Sequence, residues 1–184
     1  MINVLLTSST FIKSISNISD NVNDKMLLPA IRESQEIDLK GIMGECLLEK
    51  VKSLVKERLI SEEGYEAYKD LLDKAQYFLA YQTISRLCVM LSYKIDNAGI
   101  SRVRDELVDF APYNEVMQMS DYYQHKADYF KYELQNFIID NVSMFPELRQ
   151  CDCRKIKANL YSAASGGLFL GGARARIRGR KGWK

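Results

Sequence analysis

The sequence predicts an all-α protein: a small bundle of about four helices with one long C-terminal helix, followed by an extended basic arm. Three observations carry that prediction. Apolar residues recur at steps of three and four over most of residues 24–148, the period of one buried stripe on an α-helix. Pro, Gly and Asn/Asp clusters punctuate those stretches where helices would start and stop. Finally, charge is strongly split along the chain. The nine Lys and Arg from Arg154 onward face no acidic residue, so the tail carries +9. Residues 1–153 hold 17 positive against 24 negative charges, a net −7. This places the boundary between a helical domain, 1–150, and a Gly/Arg-rich docking arm, 151–184.

Taken in order, Ser8 or Ser9 is placed to cap a short helical turn bearing Phe11 and Ile12, and Ile15 and Ile18 suggest a brief extended segment. Asn23 or Asp24 caps the first full helix, with Leu28, Ile31, Leu39 and Ile42 on its inner side. Pro29 fits only if it lies in the first turn, where its missing N–H costs nothing. Gly41 and Gly44 bracket the end of that helix. A second helix runs from Glu45 to about Arg58, with Leu47, Val51, Leu54 and Val55 inward. Ser61 caps a third, acid-led helix that continues through Tyr68, Leu79 and Leu91 to Ile95 and stops at Gly99. Its apolar face is broad, as expected of a central helix with neighbours on several sides. For residues 100–112 a helical turn and a short hairpin fit equally well.

The longest clean pattern is Tyr113–Asn141. Its stripe is Val116, Met119, Tyr123, Ala127, Phe130, Leu134, Phe137, Ile138 and Val142, with Pro112 ahead and Pro146 beyond. The opposite face, including Asp121, Gln124, Lys126, Asp128, Lys131, Glu133 and Gln135, is predicted to be solvated. At about 1.5 Å per residue this is a rod of roughly 42 Å, long enough to span the bundle or to meet another subunit. The expected core includes Ile31, Leu72, Leu79, Leu91, Phe130 and Phe137.

Chemical motifs are sparse. No Walker-type loop, GxSxG elbow or HExxH is present, and a single histidine, His125, leaves little room for a His-dependent triad. No catalytic, cofactor or metal site is predicted, and the chain is read as a non-enzyme. Cys151-Asp152-Cys153 is too tightly spaced for a zinc pair, Cys46 and Cys88 fall at apolar helical positions, and a reduced thiol set is expected. The eleven tyrosines suit core and subunit contacts at their helical spacing, more than base stacking. No run of about 18 apolar residues exists to span a membrane, and the start lacks the pattern of a signal peptide, so synthesis and retention in a cytoplasm are expected.

In the tail, Arg174, Arg176, Arg178 and Arg180 alternate with Ala173, Ala175, Ile177 and Gly179, which would put four guanidinium groups on one face of an extended strand. Leu168, Phe169 and Leu170 form an apolar plug between two glycine pairs, and Trp183 is a terminal aromatic anchor. Apolar residues embedded in the arm favour a protein partner over phosphates. The rival reading is a nucleic-acid-binding protein. Six tail contacts to duplex phosphates would make log affinity fall with log salt at a slope of about −5.

Four stretches, in this order, resemble the head-to-tail adaptors (connector or neck ring proteins) of tailed bacteriophages, especially those of crAss-like and other Bacteroides-type phages. They are Asp24-Lys-Met-Leu-Leu-Pro-Ala-Ile-Arg-Glu-Ser-Gln through Gly44; Tyr68-Lys-Asp-Leu-Leu-Asp-Lys-Ala-Gln-Tyr-Phe-Leu-Ala-Tyr; Ile95-Asp-Asn-Ala-Gly-Ile; and Tyr122-Tyr-Gln-His-Lys-Ala-Asp-Tyr-Phe running to Phe145-Pro-Glu-Leu. The resemblance spans residues 5–148. It implies a non-enzymatic helical subunit of a homo-oligomeric ring, usually twelve-fold, in the virion neck. Such a ring sits under the portal protein, contacts other neck or tail ring proteins and surrounds the channel DNA without sequence-specific contact. Residues 100–112 are unlike the polar linker expected there, and the basic tail has no counterpart residue by residue.

Overall fold

The computed structural model describes residues 4–97, 99–102 and 111–150. The chain is predominantly helical. Helix α1 spans Ser9–Ile15, α2 Asp24–Glu33, α3 Lys40–Met43, α4 Glu45–Lys56, α5 Glu66–Ser92, α6 Tyr113–Asp140 and α7 Glu147–Gln150. A π-helical turn, Ser34–Leu39, joins α2 to α3. Two strands, β1 Tyr93–Asp96 and β2 Gly99–Arg102, pair antiparallel beyond α5.

The helix starts follow local chemistry. Ser8 accepts the Phe11 N–H at 3.1 Å, and Asn23 accepts that of Lys25 at 2.9 Å, satisfying donors that have no partner inside the helix. Pro112, in extended conformation at the N-cap, leads directly into α6. Gly44, at φ 78°, ends α3 and starts α4. Between α4 and α5, Arg58 takes a left-handed conformation at φ 60°.

Other starts and stops differ from expectation. Pro29 lies in the interior of α2, on its exposed side, and the π-helical turn begins five residues later, at Ser34. Ser61 caps nothing: it ends a 3-10 turn, Leu59–Ser61, and α5 starts at Glu66. There the Glu66 carboxylate accepts the Gly64 N–H at 3.1 Å, so a side chain inside the first turn reaches back in place of a cap. Helix α5 stops at Ser92 rather than Ile95, and Gly99 opens β2. Of the two conformations left open for residues 100–112, the hairpin holds for 100–102; residues 103–110 lie outside the described part.

Helix α5 is the axis of the fold and packs along α6, antiparallel to it. Buried residues occur all round α5, because it joins two apolar clusters. One is built from α3, α4, the first half of α5 and the second half of α6, with Met43, Leu47, Val51, Leu71, Phe78, Leu134 and Phe145 at its centre. The other joins α1 and α2 to the second half of α5, through Ile12, Leu27, Ile31, Ala80, Ile84, Leu87 and Tyr123. Ile31, Leu72 and Leu79 are core, as expected. Leu91, at 36% exposure in the last turn of α5, is not. Leu28, Met119 and Val142 are also exposed, and Phe130 and Phe137 pack against the core only in part.

Between α5 and α6, two small residues meet. Ser120 donates to the Ser85 carbonyl at 2.9 Å, and its hydroxyl lies 3.1 Å from that of Ser85. Gln124 donates to Gln82 at 3.1 Å and to Asp128 at 3.3 Å. Gln135, predicted to be solvated, is buried. The α6 side chains toward α5 thus include a polar seam that hydrophobic periodicity does not register.

Gln35, in the π-helical turn, anchors the N-terminal segment. Its amide accepts the Leu6 N–H at 2.8 Å and donates to the Val4 carbonyl at 2.9 Å, while Gln76 donates to the Leu6 carbonyl at 2.9 Å. Gln35→Leu strips a buried backbone donor of its partner and is expected to cost about 1–3 kcal/mol, measurable by urea unfolding. A loss below a few tenths would show that the tether is dispensable.

Candidate interaction surface

The residues predicted to dock a partner are Leu168, Phe169, Leu170, Arg174, Arg176, Ile177, Arg178, Arg180 and Trp183. All lie outside the described residues, and so does the arm from Cys151 onward. The described surface offers a different candidate, on the flank of the α5–α6 pair.

Met119, Tyr122, Lys126, Tyr129 and Glu133 recur at steps of three and four, so they form a second stripe along α6 beside the buried one. Tyr122 and Tyr129 are 51% and 60% exposed, whereas Tyr123, one position over, is buried. From α5, Tyr77 and Tyr81 complete a column of near-parallel rings. Tyr77 stacks on Phe130 at 5.3 Å, Phe130 on Tyr81 at 5.4 Å, and Tyr81 on Tyr123 at 6.4 Å. Phe11 and Tyr129 meet the column edge-on. These centroid separations suit offset or edge contacts between ring quadrupoles and tie α1, α5 and α6 together.

At one end of the flank, the Lys126 ammonium sits 4.4 Å from the Tyr122 ring centre, 5.3 Å from Tyr81 and 5.6 Å from Tyr123. A hydrogen bond with Tyr122 is the largest influence raising its pKa above the ordinary lysine range; slight desolvation opposes it, and the other tyrosines add to it. At the other end is a groove of about 230 Å³ lined by Asp73, Lys74, Tyr77, Tyr129, Phe130 and Glu133. Lys74 turns its ammonium onto the Phe137 ring at 5.5 Å. Asp73 and Glu133 have no ion pair among the described residues.

The described thiols are placed differently from each other. Cys88 is free and half-buried, and burial raises its pKa; Cys46 takes part in a disulfide, against the expectation of a fully reduced set. Among the described residues, no three His, Cys, Asp or Glu side chains come together as a metal ion would require. No described helix is long and apolar enough to cross a membrane.

The aromatic flank was legible in part. Tyrosines beside the α6 stripe stand out in the sequence, but the contribution of Tyr77 and Tyr81 depends on how α5 is rotated against α6. Fold and flank together define a predominantly helical protein built on one long antiparallel helix pair, with an aromatic, partly exposed edge. The chain belongs to the family described as a family of unknown function (DUF6712), which matches residues 39–158, from the π-helical turn past α7. No curated protein and no solved structure matches it.

Proposed function

We propose that this protein is a structural, non-enzymatic subunit of a tailed-bacteriophage neck, a head-to-tail adaptor that forms a homo-oligomeric ring between the portal protein and the tail. The observation that carries the reading is the apolar surface left uncovered along α6. Tyr113, Met119, Tyr122, Tyr129, Tyr132 and Ile139 are 46–60% exposed on a helix of 28 residues. So many large apolar side chains along one rod suit burial against other subunits. The resemblance to neck adaptors supports the same reading. Its first stretch falls on α2 and α3, its second on α5, and its fourth on α6.

In a ring, one head-to-tail contact repeats and closes because its rotation closes. Twelve copies would match the symmetry the resemblance implies, and the arm, residues 151–184, would reach the portal or a neighbouring ring protein, with channel DNA inside. The acidic body and basic arm are suited to charge-assisted bonds between unlike segments. Negative-stain microscopy of the purified chain, alone and with a portal, tests the proposal. Rings or portal-capping particles are expected. Monomers that ignore the portal and shift duplex DNA, with affinity falling steeply with salt, would replace it by the nucleic-acid reading.

A further inference from the structure

We infer that the groove between Tyr77 and Tyr129 is the docking site for the chain's own C-terminal segment, residues 168–180, before an assembly partner takes that segment up. This goes beyond ring formation and does not depend on it.

At about 230 Å³ the groove is small, and its size suits one or two side chains of a peptide. Its chemistry specifies which. Tyr77, Tyr129 and Phe130 supply ring faces and edges for an apolar or aromatic side chain. Asp73 and Glu133 supply carboxylates with no ion pair among the described residues. A matching ligand carries an apolar cluster followed closely by guanidinium groups. Leu168-Phe169-Leu170, then Arg174, Arg176, Arg178 and Arg180, is such a sequence within this chain.

Guanidinium forks pair with carboxylates in plane and also stack on tyrosine, so an Arg comb fits this rim better than lysines would. Lys126 already occupies the tyrosine faces at the far end of the flank. At the groove the two carboxylates of Asp73 and Glu133 outnumber the one ammonium, that of Lys74, which lies over the Phe137 ring, so the arginines are favoured at this end.

Reach is sufficient. Glu147 in α7 accepts a 2.8 Å hydrogen bond from Tyr68, which places the end of the described chain beside the first turn of α5. Asp73 to Tyr77 lie only about 8–14 Å further along that helix axis. The roughly 18 residues from Gln150 to Leu168 can span up to about 60 Å. Docking at home would also bring the four arginines of this segment, part of an arm of charge +9, onto a body of charge −7.

Photo-cross-linking of the full chain, with a benzophenone amino acid in place of Phe169, tests the assignment. The expected product has the mass of one chain and joins position 169 to peptides covering residues 73–77 or 126–133. Tyr129→Arg is expected to lower its yield about fivefold or more, since it removes an aromatic anchor and adds like charge. Tyr129 is 60% exposed, so the variant should keep its helical circular dichroism, which is checked alongside. Products joined elsewhere on the body, products of two-chain mass only, no product, or a yield indifferent to Tyr129→Arg in a folded variant would overturn the assignment. None of these results bears on ring formation, which the microscopy reads separately.

Discussion

Phe145→Ala is expected to lower the free energy of unfolding by about 3–5 kcal/mol. Phe145 is fully buried although it lies beyond α6, in a short irregular segment. Its ring meets Tyr68 edge-on at 5.3 Å and Phe137 at 6.3 Å, so it pins the end of α6 to the start of α5. The same region is held by the hydrogen bond from Tyr68 to Glu147. Burial, and after it the bond and charge of Glu147, push the Tyr68 phenol well above its ordinary pKa. Removing the Phe145 ring would open a cavity between three elements that cannot close without moving α7. Chemical unfolding checks the loss, with Phe130→Ala as comparison. That ring is only partly buried, so the same truncation should cost less. A Phe145 loss below about 1 kcal/mol would show that the segment after α6 is not part of the cooperative core.

The second large effect is expected at Lys52, whose side chain is 1% exposed. Its ammonium donates to Glu36 at 2.7 Å and to Glu49 at 3.0 Å, linking α4 to the π-helical turn. The double substitution Glu36→Gln with Glu49→Gln leaves a buried cation without a counter-charge, and about 3–5 kcal/mol should be lost. Lys52→Met removes the charge itself and fills similar space with apolar atoms, so its cost should be far smaller. Equal losses in the two variants would refute the distinction.

The pH dependence follows from the same contacts. Burial raises the Glu36 pKa, but hydrogen bonds from Lys52 and Gln35 and the nearby positive charges outweigh it, leaving it below the ordinary 4.5. This stabilisation is present above the unfolded carboxylate pKa and is lost as pH falls through the lowered folded value. Burial lowers the Lys52 pKa, but bonds to Glu36 and Glu49 outweigh that and leave it above the ordinary 10.5. Its contribution is full below the unfolded lysine pKa and disappears as pH rises through the raised folded value. Unfolding measured across pH should therefore show an acid and an alkaline decline that Lys52→Met flattens at both ends.

What the sequence determined by itself is the set of helices and most of their inner faces. Periodicity and capping act over three or four residues, so α4, α6 and the cap at Asn23 are legible from neighbours in the chain. The positions of Ile31, Leu79, Ala127 and Leu134 follow from the same local rule. Tertiary structure decided the rest. A stripe shows which side of a helix is apolar, but which part of that side is covered depends on where the neighbouring helix lies. Leu91, Met119 and Val142 continue their stripes and are still exposed, Met119 one position from Ser120, which α5 covers. Conversely, Lys52, Gln35 and Gln135 are polar and buried, since partners distant in sequence or across a helix pair compensate their desolvation. The aromatic flank has the same origin: Tyr77, Tyr81 and Phe130 become one column only through the rotation of α5 against α6, and that rotation is set by contacts distributed over both helices.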